Sequence, residues 1–522
     1  MNEMPMTIIS RLARVEAPPE RLREPLSEAQ LQEQSAQEAL RRNALAETLA
    51  NTRPRRAYSA VVVTGLARIV ELALLTAAGF AVHRLYVAAP LSFEYAVAIP
   101  SVALIAQICF QFLDLNSVAA YRTPLLHSVR IVAGWSFALL VALAGIFFLK
   151  HDLVFSRVWL LSWYAVGLVA LACERTILAM LVRRMTASGA LERRTVVVGG
   201  GEAGEEVLRA LAAQKHTDVR ICGVFDDRTD DRSPEVVAGF PKLGTVDDLV
   251  EFARRTRIDL IIFTLPITAE TRILQMLRKL WVLPIDIRLA AHTNKLRFRP
   301  RSYSWIGAVP VLDVFDKPIA DWDVVVKSAF DRIVGVICLV LLSPVMLAIA
   351  LAVKLDSRGP VLFRQKRHGF NNEEIEVFKF RSMYSDQLDY TVAKQVTRGD
   401  PRVTRVGRFI RKTSLDELPQ LFNVVFKGNL SLVGPRPHAI SAKAAEHPYE
   451  QVVDGYFARH RVKPGITGWA QINGWRGETD TPEKIQKRVE YDLFYIENWS
   501  LLFDIYILAM TPFALIKAEN AY

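Results

Sequence analysis

The sequence predicts a multidomain membrane protein in which a helical membrane region is joined to α/β domains. Three observations support this fold class: several apolar stretches of spanning length, a glycine-rich turn after a β-branched run, and a basic segment after the last long apolar stretch. At 522 residues the chain is too long for one ordinary domain. Its 51% hydrophobic residues exclude global disorder, and its 23% charged residues argue against a simple bundle of spanning helices.

The net charge of +11 is compatible with nucleic acid, anionic lipid or a phosphorylated substrate as a partner. The four cysteines are scattered and form no CxxC pair, so neither a disulfide framework nor a zinc site is expected. Residues 1–57 are polar and contain no apolar run near the start. We interpret them as a polar N-terminal tail rather than a cleavable signal peptide.

Four apolar stretches predict four transmembrane helices within residues 58–184. Each stretch is close to the ~20 residues that cross a bilayer core. They cover residues 60–82, 96–113, 131–149 and 158–181. Basic residues precede the first and follow the fourth, which favours the cytoplasm for both ends. Arg68 and Glu71 are three residues apart, so we expect a pair within one helix or a charge near the helix end.

A fifth apolar stretch, 333–353, is also long enough to span a bilayer and contains no charge. Basic residues flank it on both sides, which favours the cytoplasm for both of its ends. Ser343 and Pro344 lie at its centre, and proline interrupts helical hydrogen bonding. A re-entrant helix over 329–353, broken at these two residues, satisfies both signals. A spanning helix with a proline kink is the alternative. The apolar run at 499–516 predicts an interfacial helix.

A glycine-rich turn predicts a Rossmann-like α/β domain over residues 193–300. Gly199, Gly201 and Gly204 follow a run of valines and precede a helical stretch, as in the G-x-G-x-x-G fingerprint. Asp226 ends the next strand, where an acidic residue binds a nucleotide ribose in such domains. These four residues are the candidate nucleotide-binding set, and a purely regulatory role for the domain is the alternative.

The same fingerprint leaves open a membrane-bound, NAD-dependent nucleotide-sugar dehydratase. Tyr390 and Lys394 have the Tyr-x-x-x-Lys spacing of short-chain dehydrogenases. They lie in a polar stretch far from the glycines, which argues against this function. A non-enzymatic membrane sensor that uses the glycine turn is a third hypothesis.

Residues 358–412 form a basic segment with thirteen basic and six acidic side chains. Because this segment directly follows the fifth apolar stretch, it is suited to anionic headgroups or to phosphorylated substrates. It contains no nucleic-acid-binding module, so nucleic acid is not an expected partner.

Asp416 and Glu417 follow the basic segment and precede the sequence GPRP at 434–437. Ser414 and Glu417 have the spacing of a helix capping box, which is the purely structural interpretation. In the catalytic interpretation, an ionised aspartate attacks phosphorus and carboxylates bind Mg²⁺. Arg436 lies between two prolines and presents a guanidinium suited to a phosphate.

Five ordered motifs run through this part of the chain: FRQ at 363–365, KFRSM at 379–383, DELPQ at 416–420, SLVGPRP at 431–437 and PGITG at 464–468. Together they resemble the bacterial polyprenyl-phosphate phosphoglycosyltransferases of the large monotopic type, which include undecaprenyl-phosphate glucose phosphotransferases. The resemblance covers residues 324–522 and implies an α/β monotopic catalytic domain that contains the re-entrant helix. Over residues 58–290 it is limited to the architecture.

The resemblance implies transfer of a hexose 1-phosphate from a UDP-sugar to undecaprenyl phosphate, with release of UMP. Asp416 would be the nucleophile that carries the phosphosugar, and Glu417 would support Mg²⁺ or the acceptor. Both carboxylates are the expected metal ligands. The expected substrate-binding residues are Lys379, Arg381, Arg436, Arg461 and Gln471.

The segment WRGETD at 475–480 is similar to members that use UDP-glucose, and UDP-galactose is the alternative donor. Such enzymes begin exopolysaccharide or capsule synthesis. The resemblance further implies a multi-pass protein of the bacterial inner membrane whose catalytic domain faces the cytoplasm. Inner-membrane lipids and a second copy of the chain are its expected partners.

Overall fold

The structure, a computed structural model, describes residues 58–148, 155–214, 218–228, 234–291, 304–306, 309–384, 400–438, 443–444, 447–477 and 481–517. The expected polar tail at 1–57 and the pair Tyr390 and Lys394 lie outside the described residues. The chain divides into two compact units. The described residues of one lie within Arg55–Glu192, and those of the other lie within Arg193–Tyr522.

The unit Arg55–Glu192 is helical. Its helices are α1 (Ala60–Val82), α2 (Phe93–Phe112), α3 (Val118–Arg122), α4 (Pro124–Phe148) and α5 (Arg157–Ala187). A π-helical turn, His83–Val87, continues α1. Helices α1, α2, α4 and α5 are long and apolar enough to cross a membrane, and they coincide with the four predicted apolar stretches.

Tryptophan side chains of α5 join this helix to α1. Trp163 Nε1 donates to the Leu75 carbonyl at 3.0 Å, and Trp159 Nε1 donates to the Gly79 carbonyl at 3.2 Å. A Cβ at Gly79 would lie only 2.7 Å from the Ile99 side chain, so the close packing requires glycine there. The indole N–H groups thereby have partners inside an otherwise apolar helical unit.

Glu71 of α1 has a different partner from the one that its sequence spacing predicts. Its carboxylate accepts hydrogen bonds from Arg175 of α5 at 2.5 Å and from Gln107 of α2 at 2.8 Å. Arg175 also donates to the Leu115 carbonyl at 2.8 Å. The expected pair with Arg68 within α1 is therefore wrong, because helix packing brings a guanidinium from α5 to the Glu71 carboxylate.

An eight-stranded sheet begins the other unit. Its strands are β1 (Arg193–Val198), β2 (Val219–Phe225), β3 (Val236–Val237), β4 (Phe240–Gly244), β5 (Leu260–Phe263), β6 (Asp286–Ala290), β7 (Ser304–Ile306) and β8 (Val309–Phe315). The helices between them are α6 (Glu202–Ala212), α7 (Val246–Arg255) and α8 (Glu270–Leu280). The strand order is β3-β4-β2-β1-β5-β6-β8-β7, and β4, β2, β1, β5 and β6 are parallel.

Both faces of this sheet are covered, as parallel sheets require. Along β1, Val196 and Val198 pack with α7 and α8, whereas Val197 packs with α6 on the opposite face. The predicted α/β domain is therefore confirmed. Strands β7 and β8 extend its sheet to Phe315, beyond the boundary expected at residue 300.

The remaining elements form the C-terminal domain. They are α9 (Asp321–Asp356), β9 (Leu362–His368), β10 (Glu374–Phe380), α10 (Arg405–Lys412), α11 (Gln420–Phe422), β11 (Ser431–Val433), β12 (Lys443–Ala444), β13 (His447–Pro448), α12 (Tyr449–Val452), β14 (Gly465–Thr467), α13 (Trp469–Ile472), α14 (Pro482–Glu497) and α15 (Leu501–Lys517). Strands β9 and β10 form an antiparallel hairpin, and β11 pairs with β14 in parallel.

Helix α9 is the fifth helix of the described residues that is long and apolar enough to cross a membrane. It continues through Ser343 and Pro344 without an interruption of the helix. Pro344 has no N–H to offer the Val340 carbonyl, and the Ser343 hydroxyl donates to that carbonyl at 2.7 Å instead. The predicted break at these two residues is therefore wrong, because the Ser343 hydroxyl offsets the backbone hydrogen bond that Pro344 cannot make. Re-entry itself stays a prediction.

The first turns of α9 are fixed by Lys327. Its Nζ donates to Asp504 of α15 at 2.7 Å, to Asp331 at 3.2 Å and to the Val433 carbonyl at 3.0 Å. The Tyr495 hydroxyl donates to Asp504 at 2.8 Å. Because these partners saturate the buried ammonium, α9, β11 and α15 are held together where the long apolar segment begins.

Candidate active site

Asp416 and Glu417 lie in a 3₁₀ turn that follows α10 directly. Ser414, the residue before this turn, has a left-handed backbone with φ of 59°. Its hydroxyl makes no capping bond to the turn and accepts a hydrogen bond from Arg476 instead. The capping-box interpretation of Ser414 and Glu417 is therefore wrong, because the left-handed residue directs the chain away from that geometry.

The Glu417 side chain is buried between two basic residues. Its Oε1 accepts hydrogen bonds from Lys379 Nζ at 2.9 Å and from Arg436 Nη2 at 2.6 Å, and its Oε2 accepts one from Arg436 Nη1 at 3.2 Å. Burial alone raises the pKa of Glu417, but Arg436 and Lys379 outweigh it and hold this pKa well below its ordinary value. Glu417 is therefore a fixed carboxylate that orients Lys379 and Arg436.

The Asp416 side chain is half-buried and open by comparison. Among the residues that the structure describes, none donates a hydrogen bond to its carboxylate. Burial raises the pKa of Asp416 to about 6; Lys379 opposes this rise and Glu417 reinforces it. At neutral pH the carboxylate is thus ionised and its oxygens are available for a reaction, a combination that is typical of functional carboxylates.

Two arginines that received no role from the sequence also face this site. Arg476, which donates to Ser414, has Arg436 and both acidic residues as electrostatic neighbours. Arg367 donates to the Pro437 carbonyl at 3.2 Å, and burial together with Arg436 lowers its pKa to about 10. Both residues lie in segments noted in the sequence, but only the fold brings them together. The surplus of basic groups over carboxylates suits a diphosphate.

Arg459 fixes the backbone of Arg436 through a hydrogen bond. Its Nη2 donates to the Arg436 carbonyl at 2.7 Å and to the Asp492 carboxylate at 2.6 Å, and its side chain is completely buried. His438 and His460 are buried around it, as expected for packing histidines. In the described part of the chain, no group of three or more His, Cys, Asp or Glu side chains is placed to hold a metal ion.

The motifs SLVGPRP and PGITG meet through their backbones. A Cβ at Gly465 would lie 2.1 Å from the Gly434 nitrogen, and a Cβ at Gly468 would lie 2.3 Å from the Gly434 oxygen. This approach, which only glycine permits, pairs β11 with β14 and fixes the chain just before Arg436. The glycines of both motifs are therefore part of what positions the Arg436 guanidinium.

Three residues expected to bind substrate lie away from the acidic pair. Arg381 is buried and donates to the Ser357 carbonyl at 2.7 Å, so it caps the C-terminal end of α9. Arg461 donates to the Asp316 carbonyl at 2.9 Å. Gln471 is buried, and its Oε1 has no hydrogen-bond partner within the described ranges. None of these three residues contacts the acidic pair. The structure brings only Lys379 and Arg436, of the five expected substrate-binding residues, to Asp416 and Glu417.

The glycine-rich turn brings its four expected residues together. Gly199 has a φ of 110°, Gly201 caps α6, and a Cβ at Gly204 would lie 2.1 Å from the Gly199 oxygen. The Asp226 carboxylate is buried and accepts a hydrogen bond from the Gly200 amide at 2.7 Å. This carboxylate is thus bound to the turn itself, and nucleotide binding by the domain stays a prediction.

Comparisons with known proteins place these features in a family. A model described as bacterial sugar transferase matches residues 322–518, and one described as CoA-binding domain matches residues 111–291. The UDP-glucose:undecaprenyl-phosphate glucose-1-phosphate transferase of Xanthomonas campestris pv. campestris is 37% identical over 468 residues, which are 87% of this chain and 94% of that protein. The chain belongs to the bacterial sugar transferase family.

Other relatives of this bacterial sugar transferase have related names. The protein of Escherichia coli (strain K12) with the same name as the Xanthomonas relative is 36% identical, over 81% of this chain and 89% of its own. The undecaprenyl-phosphate galactose phosphotransferase of Salmonella typhimurium is 29% identical, over 70% of this chain and 77% of its own. Since these relatives are enzymes, the prediction of an enzyme is confirmed, and so is the family that the five motifs suggest.

Proposed function

We propose that this sugar transferase moves hexose 1-phosphate from a UDP-sugar to undecaprenyl phosphate and releases UMP. The observation that carries the proposal is the open Asp416 carboxylate beside Glu417, which Lys379 and Arg436 hold in place. Glucose 1-phosphate is the proposed group, because relatives that align over 87% and 81% of the chain are named for glucose. The relative named for galactose is less similar.

In the first step, an Asp416 oxygen attacks the β-phosphorus of the UDP-sugar. The bond from that phosphorus to the oxygen that bridges to the α-phosphate breaks, and UMP leaves with the electron pair. Lys379 and Arg436 lie beside the acidic pair, where their positive charges stabilise the negative charge that shifts onto the leaving phosphate. The product is a hexose phosphate bound to Asp416 as an acyl phosphate.

In the second step, a phosphate oxygen of undecaprenyl phosphate attacks the same phosphorus. The bond to Asp416 breaks, which restores the carboxylate and yields the lipid diphosphosugar. Two anionic reactants must meet here, so the basic groups around Asp416 reduce their repulsion in both steps. Neither step consumes an oxidant or a reductant, and the Asp416 carboxylate is regenerated.

Mg²⁺ fits this site only together with substrate. Asp416 and Glu417 supply two carboxylates, and Mg²⁺ in phosphoryl-transfer sites takes one or two carboxylates plus phosphate oxygens and water. Asp416 has open oxygens, whereas Glu417 Oε2 accepts one long bond from Arg436 and has lone-pair capacity left. When bound, Mg²⁺ would supply charge neutralisation for the diphosphate. We therefore propose Asp416 and Glu417 as its protein ligands.

The proposed membrane arrangement has four spans and one re-entrant helix, with the C-terminal domain in the cytoplasm of a bacterial inner membrane. Basic residues on both sides of the apolar segment of α9 support it. Single cysteines near residues 320 and 365 should both react with a membrane-impermeant thiol reagent only from the cytoplasmic side. Labelling of one of them from the outside would show that α9 spans. Exopolysaccharide synthesis and a homodimer stay predictions.

A UMP-release assay tests the reaction directly. Membranes with the full chain are given undecaprenyl phosphate and, in turn, UDP-glucose, UDP-galactose and a GDP-sugar. Sustained UMP release should require both a UDP-hexose and the lipid phosphate, no more than one UMP per enzyme should form without the lipid, and UDP-glucose should be the best donor. Lack of UMP release with every UDP-hexose would contradict the proposed reaction, and a preference for UDP-galactose would contradict the choice of sugar alone.

A further inference from the structure

A cavity of about 280 Å³ lies beside the first turns of α9, on a different set of residues from the acidic pair. Apolar side chains from α9, from β11 and from a π-helical turn at Asn423–Lys427 contribute to its wall. The argument uses five of its lining residues: Val324, Arg332, Val424, Arg461 and Lys463. Its volume is near the lower end of ligand pockets, which hold ~300–1,000 Å³, so it accommodates part of a ligand.

Basic groups line this cavity without a carboxylate partner. Arg332 donates to the Ser328 hydroxyl at 2.9 Å, and Lys463 donates to the Gly428 carbonyl at 2.7 Å. Arg461 Nε is buried and has no hydrogen-bond partner in the described part of the chain. No carboxylate of the described residues lies within ion-pair distance of these three side chains. Asp331 also lines the cavity, but it pairs with Lys327. The cavity therefore combines an apolar wall with three basic groups that have no ion-pair partner among the described residues.

The sequence places this cavity at the boundary of the membrane. Arg332 immediately precedes the uncharged segment 333–353 of α9. Ile333 and Leu341 in that segment are 61% and 71% exposed, as expected for side chains that face lipid. A cavity whose basic residues begin where an apolar segment enters the bilayer lies at the height of lipid phosphates.

We propose that this cavity binds the phosphate-bearing headgroup of a membrane lipid. The phosphate accepts hydrogen bonds from Arg332, Arg461 and Lys463, and the first part of the lipid chain lies along Val324 and Val424. This assigns Arg461, which the sequence analysis placed with the substrate, to a lipid. Lipid binding here does not depend on the proposed reaction, because it is measured without turnover.

The charge is tested with Lys463→Gln and a matched control, Lys354→Gln. Lys354 lies near the other end of α9 and also donates to a glycine carbonyl, that of Gly359, at 3.2 Å. Native mass spectrometry of the full chain in detergent then measures binding of phosphatidylglycerol, with phosphatidylcholine as the zwitterionic probe. Lys463→Gln should weaken phosphatidylglycerol binding about fivefold relative to the control, which corresponds to ~1 kcal/mol per basic residue at an anionic lipid surface.

The shape of the cavity is tested with Val324→Trp and Val325→Trp. Both valines are partly exposed on α9, at 49% and 38%, but only Val324 lines the cavity. Val324→Trp should reduce phosphatidylglycerol binding, and Val325→Trp should not. Equal effects within either pair of variants, or equal binding of phosphatidylcholine, would overturn the proposal.

The source of the phosphate is settled in a competition arm of the same experiment. If undecaprenyl phosphate displaces phosphatidylglycerol from the wild type and fails to bind Lys463→Gln, the lipid is the acceptor. If phosphatidylglycerol stays bound, the lipid is a bilayer phospholipid. Both outcomes require the cavity to bind a lipid phosphate, and loss of UMP release in a separate assay would leave either result unchanged.

Discussion

Asp226 and Asp416 are both acidic residues at sites that the sequence associates with nucleotide-containing ligands, but their carboxylates differ in the structure. The Asp226 carboxylate is buried and accepts hydrogen bonds from the backbone amides of Gly200 and Arg228. The Asp416 carboxylate is half-buried, and no described residue donates to it. The aspartate of the sheet domain thus uses its carboxylate oxygens for hydrogen bonds within the fold, whereas the aspartate of the C-terminal domain has accessible oxygens.

This difference shows how the C-terminal domain leaves the Asp416 carboxylate accessible. Glu417 takes up the hydrogen bonds of Lys379 and Arg436, so Asp416 shares their positive field without being tied to them. The basic residues then keep Asp416 ionised at neutral pH, although burial raises its pKa to about 6. In the sheet domain, both Asp226 carboxylate oxygens accept backbone hydrogen bonds, so this side chain stabilises the glycine-rich turn.

Replacing each aspartate by asparagine gives the largest contrast. Asp416→Asn removes the proposed nucleophile, and UMP release should fall by about a thousandfold or more. Asp226→Asn should keep UMP release, because its change is confined to the turn. It should lower the free energy of unfolding by about 1–3 kcal/mol, because an amide N–H then replaces an acceptor of a buried hydrogen bond. A comparable loss of UMP release in both variants would contradict the assignment of a catalytic role to Asp416 and a structural role to Asp226.

Arg436 should have the next largest effect on turnover. Arg436→Gln removes the guanidinium that holds Glu417 and that we propose binds the substrate phosphates, so kcat/KM should fall about 10²- to 10³-fold. Arg278→Gln is the control, because Arg278 is 81% exposed and pairs only weakly with Asp454 at 4.0 Å. Steady-state kinetics with UDP-glucose measures both variants. An Arg436→Gln enzyme as active as the control would remove Arg436 from the substrate site.

The pH dependence should reveal the ionisation of Asp416 itself. Its folded pKa of about 6 means that the carboxylate is present above this pH and protonated below it. Activity should therefore rise with pH up to about 6 and fall about tenfold for each pH unit below it. A kcat/KM profile from pH 4.5 to 8 measures this. A profile that stays flat down to about pH 4.5 would mean that Asp416 has an ordinary pKa or is not the nucleophile.

Local and compositional features of the fold could be predicted from the sequence. Apolar length located the four long helices of the first unit, and valine runs with glycines located β1 and its turn. Lys379, Asp416 and Arg436 were recognised through motifs, and the structure places Lys379 and Arg436 around the acidic pair. These features depend on residues close in sequence, or on motifs whose spacing carries the information.

Contacts between distant segments could not be predicted. Arg459, in a 3₁₀ turn at Tyr456–Arg461, donates to the Arg436 carbonyl, and Arg476 donates to Ser414. Both contacts form only because segments that are distant in sequence fold together. Arg381 belongs to a recognised motif, yet its guanidinium is used by the end of α9. Glu71 likewise bonds across three helices rather than along its own. In each case a long polar side chain could reach several partners, and the residues near it in sequence do not indicate which partner it binds.

The phosphosugar intermediate on Asp416 is the central claim, and peptide mass spectrometry tests it most directly. The full chain is incubated with UDP-glucose without undecaprenyl phosphate, quenched in acid and digested. The peptide that contains Asp416 should gain the mass of a hexose phosphate, and later addition of undecaprenyl phosphate before quenching should remove it. UMP release with an unmodified Asp416 peptide, or with the added mass on another residue, would contradict the account.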